Sequence, residues 1–90
     1  MFSKACEYGI RATIYIAEQS LLDRKVSLKE VAESIESPIA YTSKILQKLS
    51  RNKIITSEKG PSGGFSIEKK ELDNLKLGTI VFTIDGDNIY

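Results

Sequence analysis

The segment from Ser27 to Ile67 constrains the fold of this 90-residue chain more than any other part of it. It begins with a short capped helical pattern, passes through a tight turn into a second helical pattern rich in Lys and Arg, and ends in a Gly-rich hairpin. This order of elements is typical of a winged helix-turn-helix, in which one helix enters a DNA groove and a β-hairpin contacts the flanking backbone. The sequence therefore predicts a mainly α-helical fold with one small β-hairpin.

Capping residues set the expected helix boundaries in this segment. Ser27 and Glu30 form a capping box at the start of the first helix. Ser37 is a good cap for the second helix, and Pro38 fits its first helical position, where the missing N–H is no loss. We expect this second helix to end at about Asn52. Its expected inward-facing residues are Thr42, Ile45, Leu46 and Leu49.

The residues that follow favour a β-hairpin. A β-branched run over residues 54–56 favours a strand, residues 60–64 are dense in Gly, Pro and Ser, and residues 65–67 alternate as a returning strand. We expect residues 1–90 to form a single domain, with the helix-turn-helix at about 27–52 and the wing at about 54–68.

Two further helices are expected on either side of this segment. The first runs from about Ser3, its cap, to Ser20 and is apolar on two sides, so it has more than one neighbour. The second neighbour is either another copy of the chain or the rest of the domain, and the sequence favours neither. The last helix runs from about Leu77 to Ile84, and Gly86 is placed to stop it. One apolar stripe of the first helix is Ala5, Tyr8, Ala12, Tyr15 and Ile16, the other is Cys6, Ile10, Ile14, Ala17 and Leu21, and the inward residues of the last helix are Leu77, Ile80, Val81 and Ile84.

The formal net charge of +1 conceals an uneven distribution. Residues 38–70 hold seven basic and two acidic side chains, a balance of +5, whereas residues 1–37 hold five and six, and residues 71–90 hold one and four. The positive region coincides with the expected basic helix and hairpin, as in proteins that bind nucleic acid. On charge alone, a solvated basic face explains the pattern equally well.

Catalysis and metal binding find little support in the sequence. The chain has no His, which removes the commonest general base, and its one Cys, Cys6, lies on an apolar stripe as a small core residue. The glycines of residues 60–64 lack the Gly-Lys-Ser/Thr ending of a phosphate-binding loop, and residues 85–88 lack the glycine position and the final Glu of a calcium loop. We therefore expect no enzyme activity, no cofactor and no metal.

Membrane association is not expected either. No apolar run approaches the roughly 20 residues needed to span a bilayer, and the first residues do not follow the pattern of a signal peptide. A lone Cys fits a reducing compartment. The expected location is the cytoplasm.

Small and hydroxyl-bearing side chains begin the basic helix. Ala40, Tyr41 and Ser43 lie in its first turns, the part that enters the groove in helix-turn-helix proteins. Such side chains suit contacts with base edges and phosphates. The ring of Tyr41 could equally pack into the domain and leave only its hydroxyl at the surface.

Cations follow on the outside of the same helix. Lys44, Lys48 and Arg51 repeat at about one-turn intervals, and Gln47 lies among them. Lys59 at the wing tip suits phosphate or minor-groove contact, and the glycines beside it permit close approach of the backbone.

Several strings of the sequence together resemble the Rrf2 family of bacterial transcription regulators. They are residues 2–12, 31–33, 38–49, 59–65, 80–81 and 84–86, so the resemblance covers about residues 2–86. The most specific part is Tyr-Thr-Ser-Lys-Ile-Leu-Gln-Lys-Leu at residues 41–49, followed by Lys-Gly-Pro-Ser-Gly-Gly-Phe at residues 59–65.

The resemblance implies a dimeric DNA-binding regulator that represses by occluding a roughly palindromic site. The basic helix would lie in the major groove and the wing in the adjacent minor groove. Some family members carry three cysteines for an iron–sulfur cluster in a loop beyond this region, followed by a long dimerisation helix; the 90 residues contain neither, so cluster-based sensing is not implied. The competing interpretation is a winged-helix module for protein interaction or dimerisation that does not bind DNA. The expected DNA-binding residues are Ala40, Tyr41, Ser43, Lys44, Gln47, Lys48, Arg51, Lys59, Pro61, Ser62 and Gly63.

Overall fold

A computed structural model of the chain describes residues 3–61, 63–73, 75, 79–80 and 83–84. Its helices and strands confirm the predicted fold class, a mainly helical chain with one two-stranded antiparallel hairpin. In chain order they are α1 (Lys4–Leu21), α2 (Leu28–Ile35), α3 (Ile39–Arg51), β1 (Thr56–Glu58), β2 (Gly64–Ser66) and α4 (Lys69–Leu72).

Helix α1 begins as expected but is only partly covered. The Ser3 hydroxyl accepts a hydrogen bond from the Cys6 backbone N–H at 3.1 Å, which caps the helix. One side of α1 is buried in the core. On the other side, Ile14 is 53% exposed and Leu21 is 65% exposed, so the second apolar stripe is left partly open by the described part of the chain. None of the described helices is long and apolar enough to cross a membrane.

Helix α2 is capped at Ser27, but the capping box is only half formed. The Ser27 hydroxyl accepts from the Glu30 backbone N–H at 3.1 Å, as predicted. The Glu30 carboxylate instead accepts from the Tyr15 hydroxyl at 2.8 Å and from the Arg24 guanidinium at 3.3 Å. A charged donor and a phenol outside the helix therefore replace the expected backbone partner, and they link α2 to α1.

The turn between α2 and α3 differs from the prediction by one residue. Glu36 ends α2 in the left-handed conformation, with φ 54° and ψ 47°, and the Ser37 backbone N–H returns to the Ala32 carbonyl at 3.0 Å. Helix α3 begins at Ile39, with Pro38 in the cap position. The prediction of Ser37 as the cap is wrong because its hydroxyl is hydrogen-bonded to the hydroxyl of buried Thr42, not to a backbone N–H.

Helix α3 presents its predicted face to the core. Thr42, Ile45, Leu46 and Leu49 are all at most 3% exposed, and the Thr42 hydroxyl donates to the Pro38 carbonyl at 2.8 Å. The core these residues join comprises Ala12, Ile16, Val26, Val31, Ile35, Ile45, Leu46, Leu49, Ile54, Ile55, Ile67, Ile80 and Ile84.

The hairpin strand begins later than predicted. Ile54 and Ile55 are 7% and 3% exposed and belong to the core, and the Ile54 backbone N–H donates to the Leu49 carbonyl at 2.9 Å, closing the end of α3. Strand pairing therefore starts only at Thr56, which faces Ser66 across the hairpin. The returning strand is likewise shifted to Gly64–Ser66, since Ile67 is buried and donates its backbone N–H to the Ser20 hydroxyl.

A short bridge connects the hairpin to the residues before α2. The Val26 backbone N–H donates to the Phe65 carbonyl at 3.0 Å, and the Phe65 N–H donates to the Val26 carbonyl at 2.7 Å. This antiparallel pair extends the hairpin by one step and fixes it against the entrance to the helix-turn-helix.

The described residues of the predicted last helix lie in the core. Residues 79–80 and 83–84 are helical, and Ile80 and Ile84 are 5% and 2% exposed. Gly9 of α1 lies beneath Ile84, where a Cβ would overlap the Ile84 side chain, so the one glycine of α1 allows close packing. The predicted residues Leu77, Val81 and Gly86 are outside the described residues. The sequence did not predict α4.

Candidate nucleic-acid interface

The outer face of α3 carries a continuous row of polar side chains. Ala40, Lys44, Gln47 and Arg51 are exposed and Ser43 is half-buried, and their spacing keeps all five on the side opposite the buried residues. The first turn of α3 holds no acidic residue. An anionic ligand could therefore approach this face without meeting a carboxylate from the start of the helix.

A groove of about 440 Å³ separates this face from the hairpin. Ser43, Gln47 and Arg51 contribute the α3 side of the groove, and Lys59 contributes the wing side. The structure thus brings together four of the predicted binding residues, which are up to 16 positions apart in the chain. The full set of lining residues is Ser43, Gln47, Ser50, Arg51, Ser57, Lys59 and Phe65.

Three of these lining residues were absent from the predicted site. Ser57 and Phe65 are paired across the hairpin, so their side chains share the face toward α3. Ser57 could have been found from strand alternation, because it lies two residues before Lys59. Ser50 lies three residues after Gln47, a helical spacing that also carried a signal. Phe65 carried none beyond its place in the returning strand.

Within the groove, the two central α3 side chains are linked to each other. The Gln47 amide donates to the Ser43 hydroxyl over 3.3 Å, one helical turn away. The amide carbonyl of Gln47 and the hydroxyl proton of Ser43 stay available, so the pair presents an acceptor and a donor side by side. Such an arrangement suits the mixed donor and acceptor pattern of base edges in a DNA major groove.

Two predicted residues lie on the flank of α3 and do not line the groove. The Tyr41 ring meets the Tyr8 ring edge-on, with centroids 5.6 Å apart and planes at 84°, so its aromatic part packs within the domain. Lys48 is half-buried and its ammonium donates to the Ile84 carbonyl over 3.4 Å. Ala40 and Lys44 are exposed beside the groove but do not line it.

The wing tip depends on glycine geometry. Gly60 has φ 103°, and its carbonyl accepts from the Gly63 backbone N–H at 2.9 Å. A Cβ on Gly63 would overlap the carbonyl of Glu58, so this position also requires glycine. Pro61 is exposed at the tip, and the predicted residue Ser62 is outside the described residues.

The cations of this surface have no carboxylate partners in the described part of the chain. Lys44, Arg51 and Lys59 are exposed and make no ion pair with any described residue. Their charges are therefore not neutralised by the described residues and remain available to an anionic ligand.

Comparison with known proteins places this geometry in a family. The model of the Rrf2 family, described as an iron-dependent transcriptional regulator, matches residues 2–90. The chain belongs to the Rrf2 family. Rrf2 proteins are transcription regulators and not enzymes, in agreement with the resemblance seen in the sequence.

Two curated relatives support membership of the Rrf2 family. An HTH-type transcriptional regulator of Aquifex aeolicus is 33% identical over 81 residues, which are 90% of this chain and 54% of the relative. An Rrf2-like HTH-type transcriptional regulator of Rhodobacter capsulatus is 26% identical over 88 residues, which are 96% of this chain and 58% of the relative. The chain thus spans little more than half the length of these Rrf2 relatives.

Solved structures of similar proteins show the same fold. The structure of IscR from T. potens matches all of this chain and 64% of its own, with a TM-score of 0.84 and 23% identity. The structure of CymR, the global cysteine regulator of B. subtilis, matches 96% of this chain and 65% of its own, with a TM-score of 0.83 and 22% identity. The chain therefore has the winged helix-turn-helix fold of Rrf2 regulators.

The donor atoms in these residues do not fit the iron that the Rrf2 description implies. The 90 residues contain no His and one Cys, and the Cys6 side chain is buried in the core. Among the described residues, no three His, Cys, Asp or Glu side chains come together as a metal-binding group. No step of the function proposed below passes through iron.

Proposed function

We propose that this Rrf2 protein binds double-stranded DNA as a transcription regulator and that residues 1–90 form its DNA-binding domain. The observation that carries the proposal is the groove in which the outer face of α3 meets the wing. It combines Arg51 and Lys59, two cations without an ion-pair partner among the described residues, with the polar pair of Ser43 and Gln47. Cations supply affinity for phosphates, and amide and hydroxyl groups supply contacts to base edges.

In this proposal α3 lies in the major groove and the wing contacts the adjacent backbone or minor groove. Ala40, Ser43 and Gln47 approach base edges, because they lie on the outer face of α3. Lys44, Arg51 and Lys59 approach phosphates. The packing of Tyr41 limits its role to a hydroxyl contact, and Lys48 would first have to leave the Ile84 carbonyl. Repression by occlusion and a cytoplasmic location are part of the same proposal.

Sedimentation with and without a random-sequence duplex of about 25 base pairs tests DNA binding directly. At low salt and micromolar protein, we expect the protein to co-sediment with the duplex, since DNA-binding proteins bind even non-specific DNA with a dissociation constant of about 10⁻⁴–10⁻⁶ M. Affinity should fall steeply as salt is raised. Absence of co-sedimentation at low salt would favour the alternative, a winged-helix module for protein interaction that does not bind DNA.

The exposed stripe of α1 supports a proposal that the protein forms homodimers. Ile10, Ile14, Ala17 and Leu21 follow at intervals of three or four residues, so they share one face of α1, and Ile14 and Leu21 are more than half exposed. Exposed apolar faces of this kind are typical of protein interfaces.

Replacing Ile14 and Leu21 together with Ser should shift the protein toward the monomer. We expect sedimentation velocity at about 10–100 μM protein to show a lower weight-average mass for this variant than for the wild type, because the apolar contact between copies is lost. Replacing exposed Arg11 and Glu18 of the same helix with Ser is the matched control and should leave the mass unchanged. Equal masses for the wild type and the variant lacking Ile14 and Leu21 would contradict an interface on this stripe.

A further inference from the structure

Lys25 lies outside every predicted DNA-binding segment, yet it contacts the wing. Its ammonium is 2.9 Å from the Glu58 carboxylate, and the two residues are 33 positions apart in the chain. Both side chains are partly exposed, 40% for Lys25 and 49% for Glu58. The contact joins the segment before α2 to the hairpin.

The fold determines this contact through the backbone. The bridge between Val26 and Phe65 sets the residue before Val26 against the returning strand. Glu58 is paired across the hairpin with Gly64, which has no side chain to fill the space opposite the carboxylate. The Lys25 side chain occupies the vicinity, since a Cβ on Gly64 would lie 3.4 Å from the Lys25 Cβ.

Glu58 is an unfavourable residue at this position in a DNA-binding wing. It directly precedes Lys59, and strand alternation turns its side chain to the face opposite Ser57 and the groove. An unpaired carboxylate here would repel phosphates and could form an ion pair with Lys59, which is unpaired among the described residues. Either effect would reduce what the wing offers to DNA.

We propose that Lys25 is a positioning residue that holds Glu58 on the far face of the wing and keeps Lys59 available for a DNA phosphate. The inference rests on the proposed DNA binding and adds a residue to it. The pair is partly solvent-exposed, and such pairs contribute little to folding. Its effect therefore belongs to DNA binding more than to stability. A direct contact of Lys25 with phosphate is the competing explanation.

A double-mutant cycle on Lys25 and Glu58 separates the two explanations. Binding to a fluorescent random-sequence duplex is measured by anisotropy at several salt concentrations for the wild type, Lys25→Met, Glu58→Gln and the double variant. We expect Lys25→Met to weaken binding about threefold at low salt, because an unpaired carboxylate faces the DNA and Lys59. It should also flatten the log–log salt dependence by up to about 0.9, the value of one phosphate contact.

In the double variant, both the affinity and the salt slope should return to those of Glu58→Gln. Lys25→Arg should bind as the wild type does, since it keeps the ion pair. Lys69→Met is the matched control, because Lys69 also forms an exposed ion pair, 3.0 Å from Asp23, but does not line the groove. It should change affinity by less than about twofold, the small effect expected from the overall field.

Two results would overturn the proposal. If Lys25→Met costs the same affinity and slope in the Glu58→Gln background as in the wild type, Lys25 contacts phosphate itself. If Lys25→Met binds as tightly as Lys69→Met, Lys25 has no role in the wing. Wild-type protein that does not bind the duplex would instead reject the proposed function, which the first curve of the series decides. Circular dichroism spectra verify that each variant is folded.

Discussion

Replacing Arg51 and Lys59 together with Ala is expected to weaken binding to duplex DNA roughly 50- to 100-fold at about 0.1 M salt. The two cations lie on opposite walls of one groove, and neither is paired with a described carboxylate. Each lost phosphate contact releases fewer counterions, so the slope of log affinity against log salt should flatten by about 1.8. Fluorescence anisotropy over a range of salt concentrations measures both quantities.

The matched control for this prediction is replacement of Lys69 and Lys70 with Ala. It removes the same net charge from α4, whose residues do not line the groove. We expect it to change affinity a few-fold at most through the overall field. If both double variants lose affinity equally, binding depends on net charge, and the groove is not the contact surface.

Replacing Leu46 with Ala is expected to lower the free energy of unfolding by about 2–5 kcal/mol. Leu46 is fully buried where α3 packs on the core, so truncation leaves a cavity that neighbouring residues can only partly fill. Domains of this size are stable by about 5–15 kcal/mol, so the variant would lose a large share of its stability. Thermal melting should shift down by roughly 10–30 °C, as followed by circular dichroism.

Lys44→Ala on the exposed side of the same helix provides the comparison for Leu46. It should change stability by less than about 0.5 kcal/mol, because no packing is lost and Ala favours helix. Urea titrations of both variants give the free energies directly. A loss below about 1 kcal/mol for Leu46→Ala, less than the range for a buried leucine, would mean that α3 is not docked on the core as described.

The sequence predicted the elements that depend on local signals. Ser3 and Ser27 cap their helices as expected, and the inward face of α3 follows from helical periodicity. Boundaries failed where a tertiary contact outweighed a local preference. Ile54 and Ile55 have the residue type of a strand, but the core takes both side chains before strand pairing begins.

The candidate site was only partly predictable for the same reason. Cations on α3 can be found from their spacing, whereas the groove requires the hairpin to fold against the helix. Phe65 and Lys25 enter the site through the bridge at Val26, a pairing between segments about 40 residues apart in the chain. No local pattern encodes such a pairing. The rotation that carries Tyr41 and Lys48 to the flank of α3 likewise emerged only with their partners Tyr8 and Ile84.

The bridge between Val26 and Phe65 also limits which DNA sites the protein could accept. It ties the wing to the segment that leads into α2, so the wing and α3 form one rigid tool and not two independent arms. The span between the major-groove contact and the flanking contact is then set when the protein folds. A site in which these two contacts are displaced by even one base pair would have to bend or twist its own helix to fit. For this protein, discrimination between sites would therefore come partly from the stiffness of the DNA.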